Sequence, residues 1–274
     1  MTTSFSSLAA DLVAALAGQF VQHRRILRLT TPVGPDALLA ESLRASEGIS
    51  ELFSVQVAAL SLDAAIPLKS LIGQPVLVEL LAAGDTPARP FHGYVTAAEQ
   101  VGANGGFARY RLTIEPWLRF LGLGRDSRVF QDMTVCDIVD AVLRGYDHQG
   151  RLAPAWRFDL QDRDVYPRRS LTTQYQESDL AFIERLLLEE GLFYFFTHQG
   201  DAAGPQLGSH TMVIADHNGA FAPNAQAAVR FTQPGAVMTE DSIDRWRTEW
   251  KLQTNAVELA SWDYRTGSTR AASA

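Results

Sequence analysis

The stretch Tyr175-Gln-Glu-Ser-Asp-Leu-Ala-Phe-Ile-Glu-Arg-Leu-Leu-Leu-Glu-Glu-Gly-Leu-Phe-Tyr-Phe-Phe196 decides the fold. It reads as a polar turn, an amphipathic helix, a glycine stop and an aromatic strand. Ser178 is placed to cap the helix by accepting a hydrogen bond from a free backbone N–H. Asp179 puts a negative charge in the first turn, where the helix dipole favours it. Leu180, Ile183 and Leu187 recur at helical spacing, with Phe182 and Leu186 widening the apolar stripe, so the spacing predicts a helix over residues 179–190. Gly191 stands where a left-handed stop is expected. Residues 192–196 follow as a strand, because aromatic side chains suit a pleated, half-buried surface.

Upstream, Thr134 with Asp137 forms a capping-box pattern. Val135, Ile138, Val139 and Val142 follow at i, i+3, i+4 and i+7, with Gly145 placed to end that helix. Residues 147–174 read mostly as loop with charged turns. Earlier still, the apolar period changes from 3.6 to 2. Ile26, Leu27 and Leu29 open a first strand, and Thr31-Pro-Val-Gly-Pro35 is a turn cluster. Phe53, Val55, Val57 and Ala59 alternate; so do Val76, Val78 and Leu80, and then Tyr110, Leu112 and Ile114. Residues 91–98 add another strand, and Gly102-Ala-Asn-Gly-Gly106 is a hairpin signal. Short strands at this spacing predict a closed or nearly closed antiparallel barrel.

Downstream, residues 200–208 form a polar loop and residues 210–215 a strand leading into Asp216-His-Asn-Gly219. Beyond Pro223 the alternation returns. Val229 pairs in pattern with Phe231. Trp246, Thr248, Trp250 and Leu252 place two tryptophans on one face of a predicted strand, and residues 257–264 give one more. Residues 266–274 are small, with little reason to fold. The order is β, α-rich, β, which makes the fold class α+β, mainly β. Residues 1–24 are an N-terminal extension, read as a helix through Leu8, Leu12 and Leu16. Residues 25–116 form a first β-barrel, 117–228 a helix-containing middle region, and 229–274 the start of a second barrel that stops early.

Composition narrows function. With 46% apolar and 20% charged residues, the 274-residue chain has the make-up of an ordinary soluble globular protein. A net charge of −7 argues against a nucleic-acid partner, which needs clustered Lys and Arg. Arg163, Arg168 and Arg169 are close together, but Asp162 and Asp164 dilute them. The one cysteine, Cys136, excludes an internal disulfide and reads as a small buried hydrophobe beside Val135 and Ile138. No apolar run approaches the roughly 20 residues of a membrane span. No basic segment precedes the apolar residues 8–17, so no secretory signal is expected.

Motifs for catalysis or metal binding are missing. Glu184, Glu189 and Glu190 offer the paired carboxylates that glycosidases hold at a defined separation, yet all three fall on one helix, where a solvated polar face explains them. His23, His92, His148, His198, His210 and His217 form no HExxH and no i, i+4 pair, and read as surface histidines with ordinary hydrogen bonds. No G-x-S-x-G nucleophile elbow occurs. Asn104-Gly-Gly106 leads into a strand, not into the helix N-terminus of a phosphate loop. No catalytic, cofactor-binding or metal-ligating residue is therefore expected. Trp117, Trp246, Trp250, Phe193, Tyr194, Phe195 and Phe196 could stack on sugars or bases, but their periodic placement favours packing in a core or between subunits.

The opening stretch resembles the signature of VgrG proteins, the spike of the bacterial type VI secretion system. Three further segments agree in the same order: RPFHGYVTAAEQ at Arg89–Gln100, YRLTIEPWLRFL at Tyr110–Leu121 and SRVFQDMTVCDIVDAVL at Ser127–Leu143. The resemblance as a whole runs from about Arg25 to about Tyr264, most of the chain. Such proteins resemble the central hub of contractile phage baseplates. The resemblance implies a tube domain of two related β-barrels joined by a helical region. It implies a homotrimer whose barrels form a pseudo-sixfold ring, matched to the end of a hexameric Hcp tube. It further implies effector or spike-tip proteins as passengers, and assembly in the bacterial cytoplasm followed by export through the type VI apparatus without a signal peptide. The implied role is structural, with no cofactor. VgrG proteins continue through the second barrel into an oligonucleotide-binding-type barrel and a β-helical needle. Neither lies within these residues, so the chain is expected to be a fragment of a longer product or the product of a truncated gene. A prophage baseplate hub is the neighbouring reading. A carbohydrate-active hydrolase using Glu184 and Glu190 is the reading from another class.

Overall fold

The computed structural model describes residues 25–81, 87–104, 106–147, 149–223, 226, 228–232, 242–252 and 254–273. The helix expected within residues 1–24 lies outside them, as do His23 and His148. The chain divides into two units, one ending at Ala220 and the other spanning Phe221–Ala274.

The first unit opens with an antiparallel sheet of six strands: β1 (Leu27–Thr30), β2 (Leu39–Ser46), β3 (Ser54–Ser61), β4 (Pro75–Leu80), β5 (Arg89–Asn104) and β6 (Phe107–Glu115). Their order is β1-β4-β5-β6-β3-β2. The two outer strands return toward each other, with Arg25 Nη1 donating to the Ala40 carbonyl at 2.9 Å, so the barrel is nearly closed. The predicted alternation of β3 and β6 fills its interior, whereas Leu80, expected on the buried face of β4, is exposed at the strand's end. Val55, Val57 and Ala59 of β3 stand opposite Ile114, Leu112 and Tyr110 of β6, and all six are buried. Leu29, Val76, Val78, Phe91 and Val95 complete that core. The hairpin signal joins β5 to β6 through the pair Asn104↔Phe107. Strand β2 has no counterpart in the sequence reading. Beyond Leu39 and Ala40 it is half or fully exposed, so it carries no apolar alternation and owes its place to pairing with β3.

After the barrel, a short 3-10 helix (Trp117–Gly122) leads into β7 (Asp126–Phe130), α1 (Val135–Arg144), β8 (Trp156–Asp159) and β9 (Thr172–Glu177). Then come α2 (Asp179–Glu189), β10 (Phe193–Gly200) and β11 (Gly208–Ala215). Both helices start as the sequence predicts. Thr134 Oγ1 accepts from the Asp137 N–H and Asp137 Oδ2 from the Thr134 N–H. Ser178 Oγ accepts from the Ala181 N–H, and Gly191 takes a φ of +71° at the stop. Phe182, Ile183, Leu186 and Leu187 of α2 join Trp117, Val139, Tyr194 and Ile214 in a second core.

One expectation fails in this region. Residues 175–177, read as a polar turn, are the end of β9. Residues 147–174 are mostly loop, as expected, and also contribute β8 and the rest of β9. Strand β9 pairs antiparallel with β7, and β8 runs parallel to β11. Those partners are distant in sequence, so no local pattern announces them. Gln176 adopts a φ of +52° and forms the bulge at which the β7–β9 register slips.

The layers meet on β5. Phe91 and Val95 belong to the barrel core, whereas His92 and Tyr94 lie under β10 and β11, so residues 91–95 are buried on both faces. Leu77 of β4 is buried for the same reason, with Gly200 of β10 against it. The Ser50 N–H also donates to the Tyr194 carbonyl at 2.7 Å.

The second unit, taken by itself, contains β12 (Arg230–Phe231) parallel to β13 (Ser242–Ile243) and a hairpin of β14 (Glu258–Asp263) with β15 (Ser268–Ser273). Two expectations are corrected here. Residues 246–252 are not in a strand, and Trp246 and Trp250 are 75% and 93% exposed. Alternation alone does not make a strand without a pairing neighbour. Conversely, the small-residue tail folds onto β14 from Asp263↔Ser268 to Glu258↔Ser273, because the ladder is made by backbone groups that every non-proline residue carries.

Candidate functional site

The carboxylates singled out by sequence serve packing. Glu184 accepts from Tyr194 Oη at 2.8 Å, and burial followed by the Glu184 charge pushes that phenol above its ordinary pKa. Glu190 pairs with Arg169 at 2.5 Å, and Glu189 with Arg169 at 2.6 Å and Arg185 at 3.0 Å. Arg185 continues to Glu177 at 2.6 Å. This ladder docks α2 on β9 and the segment before it. Glu184 borders a groove of about 250 Å³ lined also by Ser50, Leu187, Leu188, Leu192 and Tyr194. Glu184 and Glu190 therefore answer to different partners and do not face each other across one cleft. The other two arginines of the basic cluster are also engaged, Arg163 beside Asp137 and Arg168 on the Asp132 carbonyl.

Asp179 does more than complement a helix dipole. It is 8% exposed and accepts hydrogen bonds from Gln174 Nε2 and Tyr146 Oη at 2.7 Å each, and from Arg128. One carboxylate thus gathers β7, β9 and the end of α1 around the first turn of α2. Cys136 is buried as the sequence suggests, and burial raises its thiol pKa.

The histidines require a larger correction. His92, His198 and His210 are not surface residues; they converge between the barrel and the β10–β11 hairpin. His92 and His210 are each 2% exposed. Their Nδ1 atoms stand 2.9 Å apart. His92 Nε2 reaches the Gln206 carbonyl at 2.8 Å, and His210 Nε2 accepts the Trp117 N–H at 2.9 Å. His198 Nδ1 lies 3.2 Å from the His92 N–H, with His198 Nε2 3.2 Å from Glu47 Oε1. Phe53, Phe91, Tyr94 and Phe196 wall the cluster. His217 stays half-buried, 3.5 Å from Asp159. Among the described residues no group of three or more His, Cys, Asp or Glu has metal-holding geometry. The available signal was position, since His92 and His210 sit within apolar strands, where a buried polar ring needs an internal partner.

Of the aromatic residues, Trp117 and Tyr194 are fully buried and Phe193, Phe195 and Phe196 half-buried. Trp246, Trp250, Trp262 and Tyr264 in the second unit are exposed. Among the described residues no helix is long and apolar enough to cross a membrane.

Comparison with known proteins gives this architecture a context. The family model for the phage tail baseplate hub (GPD) matches residues 46–274. Type VI secretion system spike protein VgrG1c of Pseudomonas aeruginosa is 30% identical over 267 residues, 96% of this chain and 34% of that protein. Spike protein VgrG5 of the same organism is 33% identical over 224 residues, 81% of this chain and 26% of that protein. The chain thus spans about a third and about a quarter of the length of these two relatives. Among solved structures, an E. coli component of the type VI secretion system, described as similar to the T4 bacteriophage tail proteins gp27 and gp5, aligns with a TM-score of 0.53. It is 24% identical and covers 68% of this chain and 50% of that one. A tail protein from Neisseria meningitidis aligns with a TM-score of 0.56 at 12% identity, covering 90% and 66%. At such identities the structural likeness speaks for the fold.

Proposed function

The chain belongs to the phage tail baseplate hub family, and on that premise we propose that it is a structural hub element of a type VI secretion spike, working by shape and stiffness and not by bond chemistry. The observation that carries this reading is the similarity to VgrG spike proteins across 96% of the chain. The nearly closed barrel, packed on a helix-bearing layer, supports it.

In this reading residues 25–116 are the first tube barrel, 117–228 the connecting region and 229–274 the start of a second barrel. Three copies of the longer protein surround one axis, and their barrels form a ring that seats on the end of an Hcp tube. The assembly leaves the bacterial cytoplasm through the type VI apparatus, carrying effector or spike-tip proteins. The exposed aromatic residues of the second unit support an assembled state, since large apolar patches mark surfaces that are covered by a partner. The ties of Glu184 to Tyr194 and of Glu190 to Arg169 support a non-catalytic role.

Light scattering on this chain, and on one extended to the length of its relatives, tests the proposal. The extended chain is expected at three times its monomer mass, with no turnover of glycan or peptidoglycan. A monomeric extended chain, or turnover abolished by Glu190→Ala, overturns it. A prophage baseplate hub has the same family description, and neighbouring genes separate the two: sheath and Hcp genes for secretion, capsid genes for a phage.

A further inference from the structure

We propose that the His92–His210 pair is an acid-sensitive clasp between the outer face of the barrel and the β10–β11 hairpin, closed while both rings are neutral and released when either takes up a proton. It goes beyond the hub reading and does not depend on it. The donors and acceptors admit one neutral arrangement. The Trp117 N–H donates to His210 Nε2, so His210 carries its hydrogen on Nδ1. That Nδ1–H donates to His92 Nδ1, and His92 Nε2–H donates to the Gln206 carbonyl. Every nitrogen of both rings is engaged. A further proton can enter only at His92 Nδ1 or His210 Nε2, and at either place it meets an N–H already aimed at that atom. Donor then faces donor where both rings are 2% exposed, and a buried donor without an acceptor is strongly unfavourable. Either protonation breaks one link in a chain that runs from the Trp117 backbone through β11 to β5 and the loop at Gln206.

Among the described residues, the charged groups near the pair are committed to other partners. The rings of Phe53, Phe196 and Tyr94 stand 5.3, 5.8 and 5.9 Å from that of His210. From β10, His198 lies 6.1 Å from His210, ring to ring, and Glu47 meets His198 while also binding Arg89 of β5. Arg119 of the 3-10 helix turns to Glu115 at 3.7 Å. Asp201 of the β10–β11 loop accepts from the Ala203 and Gly204 N–H groups. Burial, and then the charges of His92 and His198, hold His210 well below the ordinary histidine pKa. Burial does the same for His92, against the pull of the Gln206 carbonyl. Both rings bind protons more readily once released, near the ordinary value of about 6.5, so the closed state is fully favoured above that pH and weakens below it. Well below that pH each histidine makes opening about tenfold easier per pH unit, and the pair about 100-fold. Unperturbed carboxylates, near pKa 4, remain ionised between about pH 5 and 6.5, so that window belongs to histidine.

Amide hydrogen exchange on the chain, corrected for its intrinsic pH dependence, tests the clasp. Peptides covering residues 90–95 and 206–213 are expected to lose about 30-fold in protection between roughly pH 6.5 and 5.5, while those covering 135–144 hold. A uniform loss, or none, overturns the proposal. The double variant His92→Leu/His210→Gln, whose new amide oxygen replaces Nε2 as acceptor for Trp117, is expected to lose the pH response; a response that persists counts against the pair. Should that variant fail to fold, nitrogen NMR of the native rings decides. At about pH 6 both rings must be neutral, with hydrogen on His92 Nε2 and on His210 Nδ1. An imidazolium at either position in the folded chain overturns the proposal.

Discussion

Tyr146 Oη donates a 2.7 Å hydrogen bond to Asp179 Oδ2, joining the end of α1 to the first turn of α2. Burial, and then the neighbouring carboxylate, push the phenol above its ordinary pKa, so it stays a donor across the physiological range. Gln174 and Arg128 complete the ring around the same carboxylate. The helix most legible in the sequence is thus held in place by residues that its own pattern does not mention.

Asp179→Asn removes the charge from that ring and leaves Arg128 with a weaker partner. Arg128 is 32% exposed, so the loss falls short of the several kcal/mol of a fully buried pair, at about 2–3 kcal/mol. Tyr146→Phe deletes one hydrogen bond and is expected to cost about 1 kcal/mol. Denaturant midpoints with unchanged slopes would measure both. An Asp179→Asn protein as stable as the parent would remove the network from the account of the fold.

Gly93→Ala probes the double burial of β5. A Cβ there stands 2.7 Å from Ile114 Cγ2, 2.9 Å from the Glu115 carbonyl and 3.2 Å from Phe53 Cε2. Two of those atoms lie on the paired strand β6 and cannot both give way. The expected loss is about 1–3 kcal/mol, read as a lower melting temperature. A neutral result would mean that β5 and β6 sit further apart than described.

The sequence announced what depends on neighbours within one turn or one hairpin. The Thr134–Asp137 box, the Ser178 cap and the Gly191 stop follow from contacts only a few residues apart, and the Val55–Val57–Ala59 alternation is a pattern within one strand, although its partners on β6 are remote. It was silent where the partner is remote. Strand β9 needs β7, β8 needs β11, and His92 needs His210 across 118 residues. The second unit erred both ways. Trp246 and Trp250 have the alternation of a strand, yet residues 246–252 are not in one, while the small residues 268–273 form a strand because β14 is beside them. The same limit explains the histidines, for a count of motifs along the chain cannot show which rings a fold brings together.

Ile183→Asp would place an unpaired carboxylate where Ile183 is fully buried among Phe182, Leu186 and Leu187. The cost is expected at several kcal/mol, more than 4 if the charge finds no route to solvent. Insoluble protein, or a melting temperature lowered by roughly 10 °C, would agree with this placement. A soluble variant melting with the parent would place the α2 stripe elsewhere.

Trp250→Lys tests the exposed face of the second unit. Trp246, Trp250, Trp262 and Tyr264 leave large apolar surfaces in water, and the β14–β15 hairpin pairs only with itself among the described residues. A two-stranded hairpin has two unpaired outer edges, and such edges recruit further strands or other molecules. The chain is therefore expected to associate as its concentration rises. A lysine at position 250 adds a charge that must be desolvated in any contact made through Trp250, which weakens self-association. Sedimentation velocity over a hundredfold concentration range would show the weight-average mass rising for the parent and flattening for Trp250→Lys, while thermal unfolding of both stays the same. A parent chain that remains sharply monomeric at the highest concentration would mean that these aromatic residues need no neighbour, and the case for an assembled state built on them would fall.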